Sequence, residues 1–119
     1  MSKKESRLVV EKDGGITRIS FLDRNILDET NIQQIGEEVA QRIEAAHNPK
    51  LLLNFANVEH LSSAALGTLI TINNKVRQKG GQLRLSNIDP QIYEVFVITK
   101  LNKLFQIHET AEEAAKSFK

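Results

Sequence analysis

The chain has 119 residues, of which 40% are hydrophobic, and its 16 basic and 15 acidic side chains leave a formal net charge of +1. This length fits one compact domain, and the balanced charge gives no reason to expect nucleic acid or an anionic membrane surface as a partner. The chain contains no cysteine, which excludes a disulfide framework and a thiolate metal site. No apolar run reaches the ~20 residues of a membrane helix, and no secretory signal is visible, so a cytoplasmic protein is expected.

A hairpin is predicted at the start of the chain. Residues 1–6 are expected to form a flexible tail, and residues 7–119 the domain. The apolar content of Arg7–Glu11 predicts a first strand. Asp13–Gly15 can supply a tight turn, and the alternation over Ile16–Phe21 predicts the second strand of the hairpin.

A helix is predicted next. Residues 23–28 are assigned to a loop, and Thr30 with Gln33 has the spacing of a capping box that would open the helix. Asn48 and Pro49 are expected to end this region. Between these signals, apolar residues recur at helical spacing and should form one buried stripe: Ile32, Ile35, Val39 and Ile43.

The middle of the chain is predicted to hold a buried strand followed by a long helix. The unbroken apolar run in Leu51–Asn54 indicates a strand covered on both faces, as in the centre of a parallel sheet. After a short loop, Ser62 precedes a helix predicted over Ser63–Lys79, which Gly80 and Gly81 are expected to end.

Strands and helices are predicted to alternate over the rest of the chain. The signals are a strand at Gln82–Ser86, a helix capped by Asp89 with Pro90 in its first position, a strand at Leu104–Ile107, and a capping box of Thr110 and Glu113 before a last helix. Together with the earlier elements they predict an α/β fold: a mixed, mostly parallel sheet with an opening hairpin and about four helices.

The long helix has two different sides. Its apolar side, expected to pack on the sheet, carries Ala65, Leu66, Leu69, Ile70, Ile72 and Val76. Its other side is small and uncharged, and carries Ser63, Ala64, Gly67, Thr68, Thr71, Asn74 and Gln78. Glycine costs a helix about 1 kcal/mol relative to alanine, so helix propensity does not explain Gly67. This side is either a surface that a partner approaches closely or an ordinary solvated one.

The two serines before this helix allow two interpretations. Serine is among the best N-cap residues, and such a cap is worth about 1 kcal/mol. Phosphorylation is the alternative, because a phosphate at a helix N-terminus meets unpaired N–H groups and the positive end of the dipole. A phosphate on Ser62 or Ser63 would add negative charge at the edge of the uncharged side and disfavour binding there.

The run LLLNFANVEHLSSAALG, residues 51–67, resembles the signature of STAS domains, a family that includes bacterial anti-sigma factor antagonists and cytoplasmic domains of sulfate transporters. In that family an apolar strand ends in an acidic residue, and a loop leads to Asp-Ser-Ser/Thr-Gly-Leu or Ser-Ser-Ala-Gly-Leu at a helix start. The segments ILDETNIQQI (residues 26–35), YEVFVITKLNKLF (residues 93–105) and residues 110–118 also resemble family segments. The resemblance covers nearly the whole chain and implies a small stand-alone STAS fold.

The resemblance assigns family positions to particular residues. Ser63 falls on the serine that partner kinases phosphorylate in the antagonists, with Ser62 as the second choice. Asp28 retains the family's acidic residue before the first helix. Three positions depart from the family pattern: Ser62 replaces an aspartate, Ala65 a glycine, and Asn54 the acidic strand end.

The resemblance implies a non-enzymatic regulatory module that binds an anti-sigma factor or serine kinase when Ser63 is unmodified and releases it when Ser63 is phosphorylated. No cofactor, metal, small-molecule substrate, nucleic acid or membrane insertion is predicted. The partner-binding residues that the resemblance and the uncharged side imply are Asp28, Asn57, His60, Ser62, Ser63, Ala64, Gly67, Thr68 and Thr71.

Two other functions remain open at this stage. A constitutive STAS scaffold in a signalling or transport complex needs no phosphorylation cycle, and the missing aspartate at Ser62 favours it. An enzyme could use Ser63 as a nucleophile and His60 as its base, but the G-x-S-x-G sequence of hydrolases is absent. The three histidines are scattered along the chain, which argues against a metal site.

Overall fold

The computed structural model of the protein describes residues 8–22, 24–26 and 29–118. The strands are β1 (Leu8–Asp13), β2 (Ile16–Phe21), β3 (Asn25–Ile26), β4 (Lys50–Asn54), β5 (His60–Leu61), β6 (Gln82–Ser86) and β7 (Gln106–His108). The helices are α1 (Glu29–Glu44), α2 (Ser63–Gln78), α3 (Pro90–Ile98) and α4 (Ala111–Lys116), with a 3-10 turn at Leu101–Lys103. The predicted tail lies outside the described residues.

Five of the strands form one mixed sheet in the order β1-β2-β4-β6-β7. The β1 strand runs antiparallel to β2, and the pairs β2–β4, β4–β6 and β6–β7 are parallel. The short strands β3 and β5 pair in parallel as a separate two-stranded sheet. The predicted α/β fold, with its opening hairpin and mostly parallel sheet, is therefore confirmed.

The central strand β4 is buried on both faces, as its apolar sequence predicts. Leu51 and Leu53 belong to the main core beneath α1 and α2, whereas Leu52 belongs to a smaller core with Ala111 and Ala114 of α4. All three leucines are at most 1% exposed. The sheet is thus covered by α1 and α2 on one face and by α4 on the other.

Helix α1 buries the predicted stripe of Ile32, Ile35, Val39 and Ile43 in the main core. The predicted cap at Thr30 is wrong, because the helix begins at Glu29 and Thr30 lies in its first turn. Gly36 faces α2: a Cβ built on this glycine would lie 3.1 Å from Cγ2 of Thr68. The missing side chain at Gly36 lets the two helices approach closely.

Helix α2 packs its predicted apolar side on the sheet, although Ile70 is only half-buried. Asn73 is buried among the apolar residues, which the sequence analysis did not predict. The helix ends at Gln78, one residue before the predicted end, and closes with a Schellman motif. In this motif Gly80 has φ 71°, its N–H donates to the Arg77 carbonyl at 3.0 Å, and the Gly81 N–H donates to the Val76 carbonyl at 2.8 Å.

A buried arginine joins α4 to the sheet. Arg84 of β6 is 6% exposed, and its Nε donates to Oγ of Ser117 at 2.8 Å just after α4. Its guanidinium also donates to Oε1 of Gln82 at 3.0 Å and lies 5.0 Å from the centre of the Phe118 ring. Burial lowers the pKa of the Arg84 guanidinium, which stays charged because the ordinary pKa of arginine is so high.

The smaller helix signals are mostly confirmed. Asp89 caps α3 by accepting the Gln91 N–H at 2.8 Å, and Thr110 caps α4 by accepting the Glu113 N–H at 3.2 Å. Several strand limits differ from the prediction. The β1 strand continues to Asp13 and β4 begins at Lys50, one residue early, whereas β7 spans Gln106–His108 rather than Leu104–Ile107 because a 3-10 turn precedes it. None of the helices in the described part of the chain is long and apolar enough to cross a membrane.

Two glycines allow a matched test of this packing. We expect Gly81→Ala to lower the free energy of unfolding by roughly 1–3 kcal/mol, because the new Cβ would overlap the carbonyl oxygen of Pro49. Gly67→Ala should raise it by about 0.5–1 kcal/mol, because nothing lies within 4 Å of its Cβ and alanine favours the helix. Urea unfolding measures both, and a Gly81→Ala protein as stable as the wild type would contradict the close contact.

Candidate functional site

The loop before α2 is fixed to the chain segment before α1 by backbone hydrogen bonds. The N–H groups of Glu59 and His60 donate to the Arg24 carbonyl at 2.7 and 3.1 Å, and the Ser62 N–H donates to the Ile26 carbonyl at 3.0 Å. These bonds flank the β3–β5 pair. Backbone hydrogen bonds therefore contribute to the fixed position of the start of α2.

The other end of this loop is held at the carboxyl end of β4. Oδ1 of Asn54 accepts the Ala56 N–H at 2.9 Å, a bond that a carboxylate oxygen would accept equally well. Nδ2 of Asn57 donates to the Phe21 carbonyl at 3.3 Å, and the rings of Phe55 and Phe21 lie 4.8 Å apart. Asn54 thus stabilises the turn after β4 without carrying a charge.

The two serines have separate roles in the structure. Oγ of Ser62 accepts the Ala65 N–H at 3.2 Å, which makes Ser62 the N-cap of α2. Ser63 is the first residue of the helix and is exposed. Since Ser62 provides the cap, as an aspartate could, the Ser63 hydroxyl is not needed for it.

The first turn of α2 presents positive electrostatic potential beside Ser63. The Leu66 N–H donates to the Ser62 carbonyl and the Ala65 N–H to the Ser62 hydroxyl, but within the described residues the N–H groups of Ser63 and Ala64 meet no acceptor. The first turn also contains no acidic side chain that would neutralise the helix dipole. An added anionic group on Ser63 would therefore be favoured electrostatically.

The uncharged side of α2 is less polar than its sequence suggests. Oγ1 of Thr68 donates to the Ala64 carbonyl at 3.3 Å, and Oγ1 of Thr71 donates to the Gly67 carbonyl at 3.2 Å. Both hydroxyls are thus bonded within the helix, a common arrangement for threonine. Ser63, Ala64, Gly67 and Thr71 are exposed. Around these four residues the exposed surface consists mainly of backbone, methyl groups and the Ser63 hydroxyl, whereas Asn74 and Gln78 add exposed amide residues toward the end of the helix.

A shallow groove separates α2 from α1, and it adds residues that the sequence analysis missed. The groove has a volume of about 280 Å³ and is lined by Thr68, Thr71 and Lys75 of α2 and by Gly36 and Glu37 of α1, among others. Thr68 is half-buried here, so it is a wall of the groove rather than an open contact point. The charged side chains of Glu37 and Lys75 therefore lie beside the uncharged side of α2. Gly36, in the middle of α1, is the sequence feature that could have indicated this close approach of the two helices.

The remaining predicted site residues have the following positions. His60 is exposed in β5, and within the described chain no hydrogen bond joins it to Ser63, so nothing in the geometry favours a nucleophile and base. Asn57 is an exposed residue within the loop that it stabilises. Asp28 lies outside the described residues. Among the residues that are described, no group of His, Cys, Asp and Glu could hold a metal ion.

These observations define a class of small α/β protein in which the loop after a central parallel strand places a serine at the start of a helix. The chain belongs to the STAS domain family, whose profile matches residues 7–114. It is 26% identical over 96 residues to BtrV of Bordetella bronchiseptica, which is named as a candidate anti-sigma factor antagonist; the match covers 81% of this chain and 82% of BtrV.

Solved structures have the same fold. An anti-sigma factor antagonist (STAS) domain protein from Planctomyces limnophilus superposes with a TM-score of 0.82 at 24% identity, over 90% of this chain and 93% of that one. The Bacillus cell fate determinant SpoIIAA in its phosphorylated form superposes with a TM-score of 0.69 at 21% identity, over 92% of this chain and 96% of that one. Both agree with the mixed sheet and helix order described above.

The division between the two serines can be tested by stability measurements. Ser62→Ala should lower the free energy of unfolding by about 1 kcal/mol, because the Ala65 N–H loses its acceptor. Ser63→Ala should change it by less than about 0.5 kcal/mol, because its exposed hydroxyl caps nothing. Chemical unfolding of both variants provides the measurement; equal losses would contradict the assignment of Ser62 as the sole cap.

Proposed function

We propose that this protein is a non-enzymatic anti-sigma factor antagonist that acts in the cytoplasm. It binds an anti-sigma factor or a serine kinase through the Ser63 loop and the exposed side of α2. The observation that carries the proposal is an exposed serine beside a helix surface that the fold itself does not require. The name of the relative BtrV supports the same role.

Gly67 is the strongest sign of a binding surface. It lies in the interior of α2, where glycine costs about 1 kcal/mol relative to alanine. Apart from the backbone of its own helix, a Cβ at this position would meet no atom of the described residues within 4 Å, so their packing does not need a glycine there. A partner whose backbone approaches α2 closely would need it, because a methyl group would then separate the two surfaces.

The chemistry of the surface suits a protein partner. The hydroxyls of Thr68 and Thr71 already donate hydrogen bonds to helix carbonyls. A partner can therefore cover these hydroxyls without leaving their donors unpaired. Exposed Ala64 and the backbone at Gly67 allow close packing. Glu37 and Lys75 at the groove provide one charge of each sign, which could fix the orientation of a complementary partner.

Phosphorylation of Ser63 would switch this binding. A phosphate there would be stabilised by the N–H groups of Ser63 and Ala64, which meet no acceptor among the residues that the structure describes, so the fold would tolerate it. It would also add nearly two negative charges at the edge of the surface, and a partner would have to desolvate them. SpoIIAA, which shares the fold, has been described in a phosphorylated form.

A constitutive scaffold is the second candidate function. The observation that favours it is the absence of any acidic residue in the first turn of α2, together with Ser62 in place of the family's aspartate. A kinase that recognises a carboxylate next to its target would not find one here. A neighbouring gene for a kinase-type anti-sigma factor would favour the switch, and one for a transporter or sensor would favour the scaffold.

The switch can be tested with a purified serine kinase of the anti-sigma type from the same genome. Incubation with ATP should place phosphate on Ser63, located by mass spectrometry of the digested protein. Ser63→Asp should weaken capture of the kinase, whereas Ser63→Ala should keep it. Neither should lower the melting temperature, because Ser62 provides the cap and a carboxylate in the first turn of α2 is favoured by the helix dipole. No phosphate on either serine would leave the scaffold as the supported function.

The binding surface can be tested independently of phosphorylation. Thr71→Lys should weaken partner binding at least about tenfold, because an unpaired ammonium buried in an interface costs more than ~1.4 kcal/mol. Gln41→Lys is the matched control, since it adds the same charge at an exposed position of α1. Isothermal titration calorimetry measures both. Equal affinities for the two variants would place the interface elsewhere.

A further inference from the structure

A polar cleft of about 360 Å³ lies at the end of α2 opposite Ser63. It is bordered by Asn73 and Arg77 of α2, by Gln82 and Arg84 of β6, and by Leu104 and Gln106 near β7. The β6–β7 ladder begins only at the pair Arg84–Gln106, so the first residues of β6 border the cleft along an open sheet edge. The cleft takes no part in the surface around Ser63.

The charge of the cleft is positive and uncompensated. Two arginines and no carboxylate are among the residues that border it. Arg84 is 6% exposed, and its partners in the described chain are the neutral oxygens of Leu83, Gln82 and Ser117. A buried guanidinium without a counter-charge is costly, and the lowered pKa of Arg84 reflects that cost. The Arg84 side chain lies on the α4 face of the sheet, because it alternates along β6 with Leu83 and Leu85 of the main core. It therefore adds positive charge behind the strand, and Arg77 is the arginine that can contact an anion on the α2 side.

Asn73 adds a hydrogen-bond donor that lacks a partner. Its side chain is 6% exposed, and Nδ2 is buried with no acceptor in the described part of the chain. A buried donor left unpaired costs about 1–3 kcal/mol. A leucine at this position would fit the apolar side of α2 without that cost, so the amide is unexplained by the packing of the helix.

The Schellman motif at the C-terminus of α2 weakens, but does not remove, the unfavourable effect of a helix end on an anion. The Schellman motif pairs the Val76 and Arg77 carbonyls with the N–H groups of Gly81 and Gly80. Carbonyl oxygens that would otherwise repel a negative ligand are thereby already bonded. Arg77 is exposed at the mouth of the cleft and is free to turn toward a ligand.

We propose that this cleft binds the phosphate group of a small molecule. Arg77 would supply a mobile charged donor and Asn73 the fixed amide donor, while Arg84 adds positive charge from the other face of the strand without contacting the ligand. Arg84 bonds to Ser117 because it holds α4 on the sheet. This role does not explain why an arginine stands at position 77, or why the Asn73 amide on the α2 side has no partner. The volume leaves room for a small organic group beside the phosphate, so a phosphate ester and inorganic phosphate are both compatible with it.

The test is calorimetric titration of the full chain with inorganic phosphate and, separately, with glycerol 3-phosphate, each at the same ionic strength set with sodium chloride. Arg77→Gln should weaken binding by about tenfold, the usual worth of one charge-assisted hydrogen bond. Arg42→Gln is the matched control, because Arg42 is an exposed arginine in the last turn of α1, and it should bind like the wild type.

Asn73→Leu separates binding from stability. The substitution should weaken phosphate binding while leaving the melting temperature unchanged or higher, because it removes an unpaired buried donor. Tighter binding of glycerol 3-phosphate than of phosphate would identify an ester as the ligand class, and the reverse order would identify the free ion. The proposal is overturned if neither probe shows saturable binding, if Arg42→Gln weakens binding as much as Arg77→Gln, or if Asn73→Leu binds like the wild type.

Discussion

The burial of β4 on both faces is the constraint on which the rest of the structure depends. A strand with three consecutive buried leucines must have a helix layer on each side, and here α1 and α2 provide one layer and α4 the other. Because the neighbouring strands β2 and β6 run parallel to β4, the chain crosses over by a helix on each return. The carboxyl end of β4 then opens into the loop that carries Ser63, so the position of the site follows from the position of the strand.

Elements defined by local patterns could be predicted from the sequence, and elements defined by contacts between distant segments could not. The stripe of α1, the double burial of β4 and the caps at Asp89 and Thr110 are encoded in residue spacing and were predicted correctly. The start of α1 was not, because the capping-box spacing at Thr30 occurs inside the first turn as well as at a helix start. The sequence also could not assign Thr68 to a groove wall, since that depends on how closely Gly36 lets α1 approach.

Helix α2 connects two ends of the molecule that differ in chemistry. Its first turn lies at the carboxyl edge of the sheet beside exposed Ser63, and its last turns border the cleft at the amino end of β6. Five apolar side chains in the core hold it between these ends: Ala65, Leu66, Leu69, Ile72 and Val76. Core residues and outward-facing residues therefore alternate along α2. For this reason the average composition of the helix indicates neither the exposed serine at its start nor the cleft at its end.

The adjacency of Ser62 and Ser63 has a consequence for regioselectivity. An enzyme that recognised only the local sequence would meet two hydroxyl groups one residue apart, yet the fold makes them chemically unequal. Oγ of Ser62 is half-buried and occupied by the Ala65 N–H, so its reaction would cost the helix its cap, whereas the Ser63 hydroxyl is open to an incoming group. The helix backbone thus disfavours reaction at Ser62. An enzyme that modified this segment would therefore favour Ser63 without a separate residue to distinguish the two serines.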